Sequence, residues 1–114
     1  MSTISTHVLD TALGRPAVGV NVVLERTDDN HSWQLIGRGP TDVDGRLRSL
    51  TTESGSAPPG VYRLTFDTGA YFALHGIRSF YPQVIVTFEV LPGEAHYHVP
   101  LLLSPFGYST YRGS

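Results

Sequence analysis

Alternation of side-chain character in the segment 96–103 constrains the fold of this chain more than any other feature. Successive side chains of a strand point to opposite faces of the sheet. One face of this segment is entirely apolar and carries Tyr97, Val99, Leu101 and Leu103. The other face has little charge and carries His96, His98, Pro100 and Leu102. The first row predicts a strand packed on a core, and the second is typical of a surface that another chain covers.

Similar patterns predict the other elements. Predicted strands cover Thr3–Asp10, Val20–Arg26, Ser32–Arg38, Arg46 to near Leu50, Val61–Phe66 and Gln83–Leu91, and a hairpin partner begins at Phe106 after a Ser-Pro turn. A helix of about two turns is predicted over Gly69–His75, capped by Asp67 or Thr68. The residues 13–19 are rich in turn formers and predict a connection. We therefore expect an all-β fold: a two-sheet antiparallel β-sandwich of about eight strands with one short helix.

Composition limits the function classes. The 114 residues suffice for one domain, residues 1–114, with its own core. Cysteine is absent, which excludes disulfides and thiol nucleophiles. The net charge of -2 does not indicate the excess of basic residues that binds nucleic acid or an anionic membrane. No segment approaches the roughly 20 apolar residues that span a bilayer. We expect a soluble, cytoplasmic protein without nucleic-acid or membrane partners.

The histidines are the first candidates for chemistry. His96 and His98 project from one face of their predicted strand, and with His7 of the first strand they could form a three-histidine metal site. The alternative is that each ring hydrogen-bonds a neighbour and binds no metal, since no carboxylate lies nearby in the sequence to orient the rings. Arg46, which follows the Asp-Gly turn at 44–45, could be a solvated charge at the start of a strand. Tyr111 could pack in an interface.

Four segments resemble one known family. They are Ser-Thr-His-Val-Leu-Asp at 5–10, Leu-Gly-Arg-Pro-Ala at 13–17, Thr-Asp-Val-Asp-Gly-Arg at 41–46, and the tail from His96 to Ser114. Together they resemble the transthyretin-related 5-hydroxyisourate hydrolases over essentially the whole chain. The terminal Tyr-Arg-Gly-Ser is the most specific element, because it separates these hydrolases from the hormone-carrying transthyretins.

The resemblance implies a transthyretin-like sandwich that forms a homotetramer, a dimer of dimers with its sites in the channel between dimers. It implies hydrolysis of 5-hydroxyisourate without a metal or other cofactor. His7, Arg46 and His98 match the catalytic residues, and Tyr111 and Ser114 match residues that bind the substrate. His96 is the weaker of the two histidine matches in the tail.

Three other functions remain open at this point. The first is a transthyretin-type carrier that holds a small aromatic ligand without converting it. The second is a monomeric β-sandwich accessory domain of a larger assembly, and the third is a metal-dependent hydrolase.

Overall fold

The computed structural model describes residues 3–29, 31–48, 50–51, 57–93 and 96–113. These residues form nine strands and one helix. In chain order they are β1 (Thr3–Asp10), β2 (Arg15–Pro16), β3 (Asn21–Thr27), β4 (Gln34–Pro40), β5 (Arg46–Leu47), β6 (Gly60–Phe66), α1 (Thr68–Leu74), β7 (Val84–Val90), β8 (His96–Ser104) and β9 (Gly107–Thr110).

The strands lie in two sheets. One has five strands, with β2, β1, β8 and β9 side by side and β5 also paired with β1; the other has four, in the order β4, β3, β6, β7. The expected all-β, two-sheet sandwich is confirmed. One pair departs from the antiparallel prediction, because β1 and β8 run parallel. Parallel neighbours require a crossover connection, and here the chain builds the whole second sheet between the two strands.

The predicted bounds of the longer strands and of the helix agree with the structure to within about two residues, and three other features differ from the prediction. The predicted connection at 13–19 contains β2, which pairs with the end of β1. The strand predicted to run from Arg46 to near Leu50 is limited to β5. Asp67 is the N-cap residue of α1, but its side chain makes no capping hydrogen bond. The Gly69 N–H of the first helical turn instead donates to the carbonyl of Pro82, at 3.0 Å.

The core fills the space between the sheets. Its largest fully buried side chains come from both sheets, from α1 and from the loop after β5, and they are Tyr62, Phe66, Phe72, Ile4, Leu24, Leu50, Leu64, Leu101 and Leu103. Complete burial of a large apolar side chain stabilises the fold by about 1.5–3 kcal/mol. The predicted inward row of β8 is confirmed, since Tyr97, Val99, Leu101 and Leu103 are all buried.

Burial of these inward rows leaves the alternate side chains of β1 and β8 on the outer face of the five-stranded sheet. In the parallel register Thr3 lies beside His96 and Ser5 beside His98. On the other side of β1, His7 pairs with Arg46 of β5. The sheet thus brings together side chains that are about 90 residues apart in the sequence.

A buried carboxylate fixes the end of β1. Asp10 is 1% exposed; one carboxylate oxygen accepts the N–H groups of Ala12 and Leu13, at 3.0 Å each, and the other accepts the Tyr71 hydroxyl at 2.8 Å. Burial and this hydrogen bond raise the pKa of Tyr71 to about 12. The strand that carries His7 is therefore tied to α1.

The turn before β5 depends on Gly45. Its φ is 74°, in the left-handed region, and its carbonyl accepts the Val8 N–H at 2.8 Å. One Asp42 carboxylate oxygen accepts the N–H groups of Asp44 and Arg46, both at 2.9 Å. A Cβ at position 45 would lie 2.4 Å from the Val8 carbonyl oxygen. The turn therefore requires glycine for two reasons, its backbone angle and its contact with β1.

We predict that Gly45→Ala destabilises the protein by more than the roughly 1–2 kcal/mol of left-handed backbone strain, because a backbone clash is added to that strain. Urea unfolding measures the loss. Gly14→Ala is the matched control, since Gly14 has a φ of 71° but no atom within 4 Å of an added Cβ. Equal losses in the two variants would contradict the proposed clash.

Candidate active site

A cavity of about 270 Å³ lies on the outer face of the five-stranded sheet. It is lined by Ser5, Thr6, Arg46, Arg48, His96 and His98. Three elements supply these residues: β1, β8, and the β5 segment with the residue that follows it. Two of the five residues predicted as site residues, Arg46 and His98, therefore line one cavity.

His98 is the half-buried imidazole of this cavity. Burial lowers its pKa below the ordinary value of 6.5, and the positive charges of Arg46, His7 and His96 lower it further. Withdrawal from water and nearby like charges both disfavour the imidazolium form. His98 is consequently neutral near pH 7, the state in which an imidazole accepts a proton.

Hydroxyl groups contact the two histidines of β8. Ser5 Oγ lies 2.9 Å from His98 Nδ1 and 3.3 Å from His96 Nε2. Thr3 Oγ1 lies 2.6 Å from His96 Nδ1. Among the described residues, Nδ1 is the only atom of the His98 ring that makes a hydrogen bond, so Nε2 remains available to a molecule in the cavity.

His7 lies next to this group but does not line the cavity. Its Nε2 is 2.9 Å from the Asp44 carbonyl oxygen. A carbonyl only accepts hydrogen bonds, so Nε2 carries the hydrogen and Nδ1 holds the lone pair of the neutral ring. A positive charge on His7 lowers the pKa of His98, so the two imidazoles are close enough to interact electrostatically.

The backbone of the tail supports His98 from its other side. The Gly113 N–H donates to the His98 carbonyl at 2.8 Å. A Cβ at position 113 would lie 2.6 Å from His98 Cδ2, so only glycine fits beside the undisturbed ring. The segment that contains Gly113 thus contacts His98, the half-buried histidine of the cavity.

The structure does not place Tyr111 in the cavity with His98. Tyr111 is 57% exposed and lines a second cavity of about 160 Å³, to which β8 contributes Tyr97 and Val99. These two residues alternate with His96 and His98, so the cavities lie on opposite faces of β8. Ser114, also predicted to bind the substrate, lies outside the described residues.

Residues 4–113 match the model of the HIUase/Transthyretin family. The chain belongs to this family. A 5-hydroxyisourate hydrolase of Salmonella dublin is 50% identical over 111 residues, covering 97% of this chain and 80% of that protein.

Two solved structures of the family show how far its fold is shared. The 5-hydroxyisourate hydrolase of Klebsiella pneumoniae has a TM-score of 0.86 and 41% identity, with 100% of both chains covered. Sea bream transthyretin, solved in complex with thyroxine, has a TM-score of 0.89 and 37% identity, covering 96% of this chain and 93% of that one. The fold alone therefore does not separate hydrolases from transthyretins in the HIUase/Transthyretin family.

The three-histidine metal site is not assembled in the described part of this family member. No group of three or more His, Cys, Asp or Glu side chains there is arranged to hold a metal ion. The same residues contain no helix with the length and apolar character needed to cross a membrane.

Besides His96, the weaker histidine match, and Thr6, whose hydroxyl donates to the Val99 carbonyl, two lining residues were not among the predicted site residues, namely Ser5 and Arg48. Ser5 lies two residues from His7, so alternation along β1 places it on the same face. Arg48 likewise lies two residues after Arg46 and is exposed. The period-two pattern could have identified both, but their proximity to His98 depends on which strands pair.

We predict that His98 titrates below pH 6.5 and that Arg46→Gln raises this pKa, because the neutral side chain no longer repels the imidazolium form. Histidine NMR across a pH series measures both values. Arg38→Gln is the control, since Arg38 is exposed on β4 of the other sheet and should leave the His98 titration unchanged. An unchanged pKa in Arg46→Gln would contradict the assigned electrostatic cause.

Proposed function

We propose that this protein, a single domain of residues 1–114, is a cytoplasmic hydrolase of 5-hydroxyisourate in urate degradation. The product would be 2-oxo-4-hydroxy-4-carboxy-5-ureidoimidazoline. The observation that carries the proposal is the placement of the neutral imidazole of His98 and the permanent cation of Arg46 in one cavity. The relative from Salmonella dublin, which bears this activity in its name and is 50% identical, supports it.

His98 is the proposed base for the attacking water. Its lowered pKa keeps the ring unprotonated near neutral pH, and its Nδ1 is occupied by Ser5, which leaves Nε2 for the water. An imidazole with a pKa near the working pH is well suited to general base catalysis. His7 would orient the water or donate a proton, and the reverse assignment of the two histidines stays open.

In the proposed reaction the water oxygen forms a bond to C6 of the substrate while its proton passes to the histidine. The carbonyl electrons move to oxygen and return as the bond between C6 and the adjacent ring nitrogen breaks. That nitrogen takes up a proton and becomes the end of the ureido group. Arg46 would bind the anionic substrate and stabilise the oxygen that becomes negative, since a guanidinium donates two parallel hydrogen bonds.

Tyr111 and Ser114 are proposed to complete the site from a neighbouring subunit. Within one chain Tyr111 lies on the opposite face of β8 from His98, which favours a contribution between chains. The exposed edges of β7 and β9 suit the pairing of subunits into dimers, because each has a partner strand on one side only among the described residues. Two such dimers would then stack with the histidine faces lining the channel.

Carriage of a ligand is the second candidate function. The TM-score of 0.89 to a transthyretin solved with thyroxine favours it as far as the fold is concerned. A carrier has no need for a neutral imidazole beside a cation in one cavity, and this argument places hydrolysis first.

We predict that the protein accelerates the decay of 5-hydroxyisourate generated in place from urate with urate oxidase, followed by absorbance. His98→Ala should reduce kcat by about 10²–10⁴-fold, the usual contribution of a general base. His7→Ala should also reduce the rate.

The control for both variants is His31→Ala, because His31 is exposed in the loop between β3 and β4. It should keep the wild-type rate. Decay at the spontaneous rate with wild-type protein would exclude the hydrolase and leave carriage as the remaining candidate, to be measured by ligand binding.

We predict a tetramer of about 50 kDa by sedimentation equilibrium, four times the 12.4 kDa chain. His98→Ala should sediment as the wild type does, because the proposed assembly places the ring in the open channel between the dimers. A monomer of wild-type protein would contradict both the proposed assembly and a site shared between chains.

A further inference from the structure

Four side chains on the outer face form a continuous chain of hydrogen-bonding groups, which we call the hydroxyl–imidazole chain. It runs from Thr3 Oγ1 to His96 Nδ1 at 2.6 Å, from His96 Nε2 to Ser5 Oγ at 3.3 Å, and from Ser5 Oγ to His98 Nδ1 at 2.9 Å. The two rings are nearly parallel, at 11°, with centroids 6.4 Å apart. Ser5 is only 7% exposed, so its hydroxyl is held between the rings.

The single hydrogen of the Ser5 hydroxyl limits the chain to two arrangements. If His98 carries hydrogen on Nδ1, Ser5 accepts it and donates its own hydrogen to His96 Nε2. His96 then carries hydrogen on Nδ1 and donates it to Thr3. In the reverse arrangement every bond is turned around and His98 Nε2 carries the hydrogen. Only the first arrangement leaves the His98 Nε2 lone pair facing the substrate.

We propose that Ser5 is a positioning residue that, together with His96, holds His98 in the Nδ1-protonated tautomer and passes the proton that His98 receives on to His96. The catalytic part of this proposal rests on the proposed hydrolase function. The tautomer part does not, because the contacts of the hydroxyl–imidazole chain allow only the two arrangements above, and the proposal selects the one with hydrogen on His98 Nδ1.

The proton balance of the transfer is complete. A water proton binds His98 Nε2, the hydrogen on His98 Nδ1 moves to Ser5 Oγ, and the original Ser5 hydrogen moves to His96 Nε2. His98 and Ser5 are neutral again and His96 is an imidazolium. His96 is exposed and the His98 ring is half-buried, so the charge moves into water.

The charges around His98 favour the same direction. Arg46 and Arg48 line the cavity on the β5 side, His7 of β1 acts on the pKa of His98, and His96 lies two residues before His98 on β8. All are cations when protonated, and no carboxylate lines the cavity among the described residues. No negative charge in the described lining of the cavity therefore stabilises an imidazolium at His98. A route that removes the proton from His98 would relieve this repulsion.

The tautomer is tested by long-range nitrogen–proton NMR of the histidine rings above the pKa of His98. We expect Nδ1–H at His98 in wild-type protein and a shift toward Nε2–H in Ser5→Ala. Ser109→Ala is the matched control, because Ser109 is exposed on β9, and it should keep the wild-type tautomer. Nε2–H in wild-type protein, or an unchanged tautomer in Ser5→Ala, would overturn the proposal.

Steady-state kinetics test the transfer to His96. Ser5→Ala should lower kcat by about 10–100-fold with little change in KM, comparable to removal of a group that orients a metal-bound imidazole. His96→Gln keeps an amide within reach of Ser5 but cannot take up a proton, so it should retain the His98 tautomer and still lose kcat. Wild-type kcat in His96→Gln would overturn the transfer.

The NMR and kinetic measurements distinguish failure of this inference from failure of the proposed function. If wild-type protein shows the expected tautomer and its dependence on Ser5 but does not hydrolyse 5-hydroxyisourate, the proposed function is wrong and the positioning role of Ser5 is upheld. If hydrolysis occurs but the tautomer does not depend on Ser5, the function is upheld and this inference is wrong.

Discussion

The parallel register of β1 on β8 is the constraint on which the rest of the site depends. It places Ser5 beside His98 and Thr3 beside His96, and all three hydroxyl–imidazole contacts follow from it. A shift of one residue would turn the imidazoles of β8 toward the core and expose its apolar row. Burial of Ile4 and Val8 from β1 and of Leu101 from β8 opposes such a shift, so the core determines the register.

The second constraint is the turn that brings Arg46 to the histidines. Asp42 accepts two backbone N–H groups, and the bond from the Arg46 N–H, the largest cause, lowers the pKa of the Asp42 carboxyl. The carboxylate therefore remains charged, and the turn remains hydrogen-bonded, across the neutral pH range. Gly45 lets the turn pack against the β1 backbone. A loop with no apolar core of its own is thus held in place by backbone hydrogen bonds.

Fold and site contribute different information about this family member. The sandwich is shared about equally with a 5-hydroxyisourate hydrolase and with a transthyretin, at TM-scores of 0.86 and 0.89. Function resides in the side chains that a fold carries, and here these are outward residues that the core leaves unconstrained. The inward rows account for stability, and the outward rows account for the proposed chemistry.

The sequence alone determined which side chains of each strand point toward the core and which point away from it. Period-two alternation placed His7 and His98 outside the core and Tyr97 inside, because neighbouring residues of a strand must point to opposite sides. The resemblance of the tail and the Asp-Gly-Arg turn then indicated which of these outward residues belong to a site.

Only the tertiary structure decided which outward residues meet. No local pattern in the sequence shows that β1 and β8 are parallel neighbours or that the Ser5 hydroxyl lies between two imidazoles. Nor does any local pattern show that Tyr111 is on the opposite face of β8 from His98. Pairing between strands about 90 residues apart is set by the packing of the two sheets around a common core. Local sequence fixes the direction of a side chain relative to its own strand, whereas its neighbour across the sheet depends on the whole chain.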